Sequence, residues 1–251
     1  MISTLIAVLV FAFVFGGALA GVAVRVPAEH QDSDTKDVVK LVMGLVATIS
    51  ALVLSLLIAS AHGSYDRQEG EVQELGAQLV QLDQVLAHYG PDTYESRAQL
   101  RRMVNVELAR LWPDAGGAQS ATQVPKKYLP AEDLFETVGR LTPKSEAERS
   151  AQARALQLMT TMGTTIRLLH QQAGGSLSWP FFVVLVFWLV VLFAGFGLYA
   201  RRNATVIAAL FVGAMTVAGA IFLILEMNRP YSGLMEISRA PISEALAPLR
   251  P

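Results

Sequence analysis

Residues 41–61 read LVMGLVATISALVLSLLIASA, a stretch without a single acidic or basic side chain. A helix that rises ~1.5 Å per residue needs about 20 such residues to cross the ~30 Å hydrocarbon core of a bilayer. Three further uncharged apolar stretches of similar length lie at 5–24, 181–200 and 204–225. The 20 basic and 21 acidic residues all lie outside these four windows. The sequence therefore predicts an all-α polytopic membrane protein with four transmembrane helices.

The four spans are arranged as two hairpins on either side of a long polar segment. We expect a first transmembrane hairpin at 1–62, a helical extramembrane domain at 63–177, a second transmembrane hairpin at 178–226 and a C-terminal tail at 227–251. No alternating pattern typical of strands competes with the helical periodicity of the polar segment. Its helices are predicted at 97–111, 132–141 and 145–172, with an irregular segment rich in Gly, Ser, Thr and Gln at 114–130.

The second span has no strong stop signal at its end, so its helix is predicted to continue into the polar segment. Gly90 and Pro91 provide the stop, with a glycine at the cap and a proline just beyond it. Before them, apolar residues recur at alternating steps of three and four, which is a heptad pattern. We call these residues the stalk seam: Val72, Leu75, Leu79, Leu82, Leu86 and Tyr89.

Small residues of the second span recur at steps of four, three, four, four and three, which places them on one helical face. We call this face the small-residue stripe: Gly44, Thr48, Ala51, Ser55, Ala59 and His62. One interpretation is a packing seam, because small residues let helices approach closely in lipid. The other is that several copies of the stripe line a pore, with the hydroxyls of Thr48 and Ser55 replacing ion hydration. Ile49, Leu52 or Leu56 would then supply an apolar constriction.

The polar residues after the fourth span also have two interpretations. Pro230 cannot continue a helix, so Arg229 and Tyr231 can anchor the chain at the level of the lipid headgroups. Alternatively, Glu226, Asn228 and Arg229 form a polar ring at the mouth of a pore and select ions by charge.

Several classes of function lack their characteristic residues. A proton-coupled transporter lacks its relay, because no acidic, basic or histidine residue lies deep in a span. The chain has no Cys, its four His have no ligand spacing, and it contains no G-x-S-x-G motif. We therefore expect no enzyme activity, no metal and no cofactor. A net charge of −1 gives no basic field for nucleic acid.

Three segments resemble one known family. They are 37–48 (DVVKLVMGLVAT), 83–91 (DQVLAHYGP) and 228–233 (NRPYSG). Together they resemble the bacterial membrane proteins that contain a bestrophin-like domain. The Asp-x-Pro-Phe-x-Gly ending of that family is represented here with Asn228 in place of the Asp and Tyr231 in place of the Phe.

The resemblance implies kinship with bestrophins, which are pentameric anion channels with four spans per subunit and a helical cytosolic part. The expectation is a homo-oligomer in the lipid bilayer of the bacterial inner (cytoplasmic) membrane that passes an inorganic anion through a pore lined by the second span. The competing interpretation is a non-conducting, membrane-anchored interaction or sensing protein that uses the helical insert. Orientation stays open. Five basic residues in the hairpin loops against four at the other ends favour cytoplasmic loops, whereas bestrophin topology puts the insert and both termini in the cytoplasm.

Overall fold

The structure is a computed structural model that describes residues 2–24, 33–112, 130–172, 179–200 and 202–246, with only the backbone for 33–36, 130 and 131. These residues form eight α-helices, one short 3-10 helix (Pro91–Thr93) and no strand, which confirms the predicted all-helical class. The helices are α1 (Ile2–Ala23), α2 (Ser33–Tyr89), α3 (Tyr94–Leu111), α4 (Pro130–Gly139), α5 (Glu146–Gln172), α6 (Trp179–Tyr199), α7 (Ala204–Met227) and α8 (Ala240–Ala245).

Four helices, α1, α2, α6 and α7, are long and apolar enough to cross a membrane. Three of them begin and end within a few residues of the predicted spans, while α2 begins at Ser33 and runs without interruption to Tyr89. Isolated glycines such as Gly63 and Gly70 do not end this helix, because a single glycine lowers helix stability by only about 1 kcal/mol. The irregular segment predicted at 114–130 lies outside the described residues, except for its last position.

The chain divides into two units. The first comprises Met1–Ser64 and Ser176–Asn228, and the second comprises Tyr65–Gly175 and Arg229–Pro251. Helix α2 therefore contributes its apolar half to the first unit and its stalk seam to the second. In the structure the residues from Arg229 onward group with the helical insert.

Close contact between α1 and α6 holds the first unit together. A Cβ added to Gly21 would overlap the carbonyl oxygen of Ala194, and one added to Gly197 would overlap that of Ala18. The two backbones can approach this closely only because neither glycine has a side chain. Dispersion contacts at such crossings stabilise helix pairs in lipid, because lipid tails are as apolar as the helices and no hydrophobic effect drives the helices together.

The turn between α6 and α7 also fixes the end of α1. The guanidinium of Arg202 donates from Nε to the carbonyl of Val22 at 3.1 Å and from Nη2 to that of Ala23 at 2.9 Å. These carbonyls lie in the last turn of α1 and have no partner within the helix. Asn203 caps α7, since its Oδ1 accepts a hydrogen bond from the Thr205 amide at 2.6 Å.

The stalk seam lies in the core of the second unit. All six seam residues are buried, and the first five, from Val72 to Leu86, lie in one cluster with side chains from α3, α4, α5 and α8. The cluster also contains Leu100, Leu134 and Leu169, each fully buried. The heptad pattern of α2 is therefore satisfied within one chain.

The segment after the fourth span packs on the second unit through an aromatic pair. Trp112, which is 1% exposed, donates from Nε1 to the carbonyl of Ile237 at 2.9 Å. The ring of Tyr231 meets the Trp112 ring edge to face, with centroids 5.1 Å apart. A Cβ added to Gly76 would lie 2.7 Å from the carbonyl oxygen of Pro241, so α8 rests directly on the backbone of α2.

Candidate functional site

The apolar half of α2 is the least packed of the four candidate spans. In its most apolar window 6% of the residues are buried, against 28% for α1, 33% for α6 and 28% for α7. The side that does pack includes Ser50, which is buried, and Val46, Val53 and Leu57, which are half-buried against the core of the first unit. The remaining circumference of this span has no partner among the described residues.

The small-residue stripe lies on the unpacked side. Gly44, Thr48, Ala51, Ser55, Ala59 and His62 are all exposed. A Cβ added to Gly44 would meet no atom within 4 Å, so space for a neighbouring helix exists at this level. The stripe is therefore available to another copy of the chain, to lipid or to water.

The two hydroxyls of the stripe bond to their own helix. Thr48 donates from Oγ1 to the carbonyl of Gly44 at 2.9 Å, and Ser55 donates from Oγ to that of Ala51 at 2.8 Å. In this rotamer each oxygen presents lone pairs outward, while the O–H proton is occupied. Contact with an anion requires the O–H bond to turn away from the carbonyl, which rotation about the Cβ–Oγ bond allows.

The candidate constriction residues form a second stripe beside the first. Ile49 is 38% exposed, Leu52 67% and Leu56 70%. Leu41 and Leu45 extend this apolar stripe and are also exposed. The unpacked side of α2 thus has the small-residue stripe and, beside it, a strip of bulky apolar residues.

The candidate pore-mouth residues are divided between the two units. Glu226 is buried in the last turn of α7. Asn228 ends that helix, with its Nδ2 donating to the carbonyl of Ile224 at 2.8 Å. Arg229 is exposed and belongs to the second unit. The polar ring at a pore mouth stays a prediction.

The segment 83–91 builds a turn that is closed by an ion pair. Arg97 donates from Nε and Nη2 to the two carboxylate oxygens of Asp83, at 2.6 and 3.0 Å. This hydrogen bond raises the pKa of the Arg97 guanidinium. Gly90 adopts φ 118° at the turn, and the Thr93 hydroxyl donates to the carbonyl of Leu86 at 2.6 Å. The turn fixes α3 against the end of α2.

The segment 228–233 places a phenol in the core of the second unit. Tyr231 is 6% exposed, and its hydroxyl has no hydrogen-bond partner among the described residues. Burial raises the pKa of this phenol, and the carboxylate of Glu71 raises it further. The tyrosine thus acts through its ring, which packs on Trp112.

Sequence reasoning missed Arg97 as the partner of Asp83. A signal was present, because the two residues are equidistant from Gly90 and a reversal there brings them side by side. A cavity in the second unit was also missed. It is formed by faces of four helices whose relative rotation no local pattern specifies.

These features define an integral membrane protein, all-helical in its described parts, whose second span is largely unpacked within one chain. A family model described as the bestrophin-like domain matches residues 9–242, and the chain belongs to that family. The match includes all three segments on which the sequence resemblance depends. No curated protein and no solved structure matches the chain.

Proposed function

We propose that the protein is a homo-oligomeric, passive anion channel whose pore is lined by the small-residue stripe of α2. The observation that carries the proposal is that only 6% of the most apolar window of this span is buried within a single chain. A stripe of small residues suits a neighbouring helix, because it lets two helix backbones approach closely in lipid. A ring of copies supplies both that neighbouring helix and water.

Closure of such a ring is supported by the composition of the stripe. Gly44, Ala51 and Ala59 add almost no bulk, so neighbouring α2 helices can approach closely around an axis. The apolar strip containing Leu52 and Leu56 then faces a neighbouring subunit or the constriction. Thr48 and Ser55 are left as the polar contacts along the pore.

The lack of charged residues in the second span favours passive conduction over coupled transport. No Asp, Glu, Lys or Arg lies between residues 41 and 61, so this span offers no site where a proton or a counter-ion could be held. Selection for anions is proposed from membership of the bestrophin-like family and from the hydroxyl protons, which can bond to an anion once the O–H turns away from its carbonyl. The proposal includes no catalytic activity.

A second candidate is a non-conducting membrane protein in which the stripe is only a seam between copies. The specific observation in its favour is that both hydroxyls already donate to carbonyls of α2, so neither proton is free for an ion. The same experiment separates the two candidates.

The test is chloride efflux from liposomes that contain the purified protein, with Ser55→Trp as the plugging variant. Val212→Trp is the matched control, since Val212 is 62% exposed on α7 and lies outside the stripe. We expect efflux from the wild type and from Val212→Trp, and none from Ser55→Trp. Absence of efflux from a folded, oligomeric wild type would favour the seam, and unchanged efflux from Ser55→Trp would remove α2 from the pore wall.

A further inference from the structure

A half-open cavity of about 510 Å³ lies in the second unit, lined by α4, the middle of α5 and single residues of α2 and α3. Its apolar wall includes Met103, Leu134, Phe135, Met159, Met162 and Ile166. Its volume lies in the ~300–1,000 Å³ range of small-molecule sites.

A glycine in α5 keeps the cavity open. A Cβ added to Gly163 would meet no atom within 4 Å, although this residue lines the cavity. Gly21 and Gly197 are in close contact with the backbone of another helix, whereas Gly163 is not. Glycine is unfavourable in a helix interior. Because the space beside Gly163 is open, the missing side chain affects only a molecule that occupies the cavity.

The wall is also adaptable. Three of its side chains are methionines, whose unbranched and polarizable thioethers fit ligands of variable shape. Polar groups are confined to a few positions, among them Glu132, Glu136 and Arg167. An occupant must therefore be mainly hydrocarbon, with a small polar end.

The cavity lining contains two carboxylates, Glu132 and Glu136, and one guanidinium, Arg167. Glu136 forms an ion pair with Arg140 one turn along α4. Glu132 lies in the first turn of α4, where the helix dipole favours a carboxylate. Arg167 is exposed and makes no hydrogen bond or ion pair with any residue that the structure describes. Arg167 is the one basic residue among the described residues of the lining, and a guanidinium binds carboxylates through two parallel hydrogen bonds.

We propose that this cavity binds an aliphatic carboxylate, with the hydrocarbon chain between α4 and α5 and the carboxylate on Arg167. The chain replaces water on an apolar wall, so affinity rises about fourfold per methylene until the cavity is full. The site is independent of the proposed pore, because every lining residue belongs to the second unit.

The test is photolabelling of the full-length protein in phosphatidylcholine nanodiscs by dodecanoic acid that carries a terminal diazirine. Peptides are mapped by mass spectrometry. We expect labels on the α5 segment that contains Met159 and Met162, and a second set on lipid-exposed positions of α7 such as Met215, from probe dissolved in the bilayer. The second set is an internal standard, because it is independent of the cavity.

Gly163→Phe fills the cavity and is expected to lower the α5 labels at least tenfold relative to the α7 labels. Gly70→Phe is the matched control: a Cβ there also meets no atom within 4 Å, but Gly70 does not line the cavity. Absence of α5 labels in the wild type, or α5 labels that survive Gly163→Phe, would overturn the proposal. A changed oligomeric state in Gly163→Phe without α5 labelling in the wild type would instead assign the cavity to a second copy of the chain.

Arg167→Gln tests the headgroup. We expect it to reduce α5 labelling by the acid about tenfold, and to leave labelling by the matching dodecanol probe unchanged. If the acid and the alcohol respond alike to this substitution, the site does not recognise a carboxylate and that part of the proposal is wrong.

Discussion

Replacement of Gly21 by Ala is expected to destabilise the first unit by about 2 kcal/mol, because the added methyl group has no room. Its Cβ would overlap the carbonyl oxygen of Ala194 and lie 2.9 Å from the backbone nitrogen of Leu198. Both obstacles are backbone atoms of α6, so no side-chain rotation relieves the overlap. The two helices must separate along their crossing.

The magnitude follows from two opposing terms. Overpacking costs about 1–3 kcal/mol, and the upper end applies where backbone must move. The higher helix propensity of Ala raises the stability of the variant by up to about 1 kcal/mol. Gly16→Ala isolates the second term, since a Cβ on Gly16 meets no atom within 4 Å. Gly195→Ala is expected to be intermediate, because its nearest obstacle, at 2.7 Å, is the flexible end of Met43.

The assay is reversible unfolding in mixed micelles by titration with dodecyl sulfate, followed by tryptophan fluorescence. The expected order of stability is Gly16→Ala at or above wild type, then Gly195→Ala, then Gly21→Ala. A free energy of unfolding for Gly21→Ala within about 0.5 kcal/mol of Gly16→Ala would refute close backbone contact between α1 and α6.

Three further predictions concern the second unit. Asp83→Asn removes one partner of the partly buried ion pair with Arg97 and is expected to lower the free energy of unfolding by about 2 kcal/mol. Glu95→Gln, at an exposed pair, is expected to lower it by less than about 0.5 kcal/mol in the same thermal unfolding series. Equal losses of stability in the two variants would contradict this. Gly76→Ala meets the backbone of α8 and is expected to expose the C-terminal segment to limited proteolysis, so wild-type resistance would disprove that contact. The folded pKa of Tyr231 is raised above its ordinary value of 10.0, and the unfolded state therefore loses this proton first. Stability falls as pH rises above about 10, and Tyr231→Phe should weaken that fall; an identical alkaline slope for both proteins would count against it.

The helices could be predicted because their signals are local. Uncharged windows of membrane-spanning length mark four of them, and the Gly90-Pro91 pair marks the end of α2. The pairing of α1 with α6 could not be predicted, since glycines that allow close contact, such as Gly21, look the same in sequence as Gly16, which meets nothing. Which glycine is covered depends on the rotation of each helix about its axis.

The small-residue stripe could be found from its steps of three and four, and the structure places it on the unpacked side of α2. Its role could not be read from the sequence, because Thr48 and Ser55 suit a helix seam and a pore wall equally well. The cavity could not be predicted from the sequence for another reason. Met159 and Met162 have the spacing of ordinary core residues, and only the arrangement of four helices leaves space beside them.

The central claim is that the stripe of α2 faces water between copies of the chain. Since the protein has no native Cys, single cysteines can be introduced at Thr48, Ala51 and Ser55, with Ser50 and Val53 on the packed side as controls, and treated with a negatively charged methanethiosulfonate during chloride efflux. Only a thiolate reacts, and a thiolate forms in water but not in lipid. The account predicts block at the three stripe positions and unchanged efflux at the two controls. Efflux that continues after treatment at all three stripe positions would contradict it.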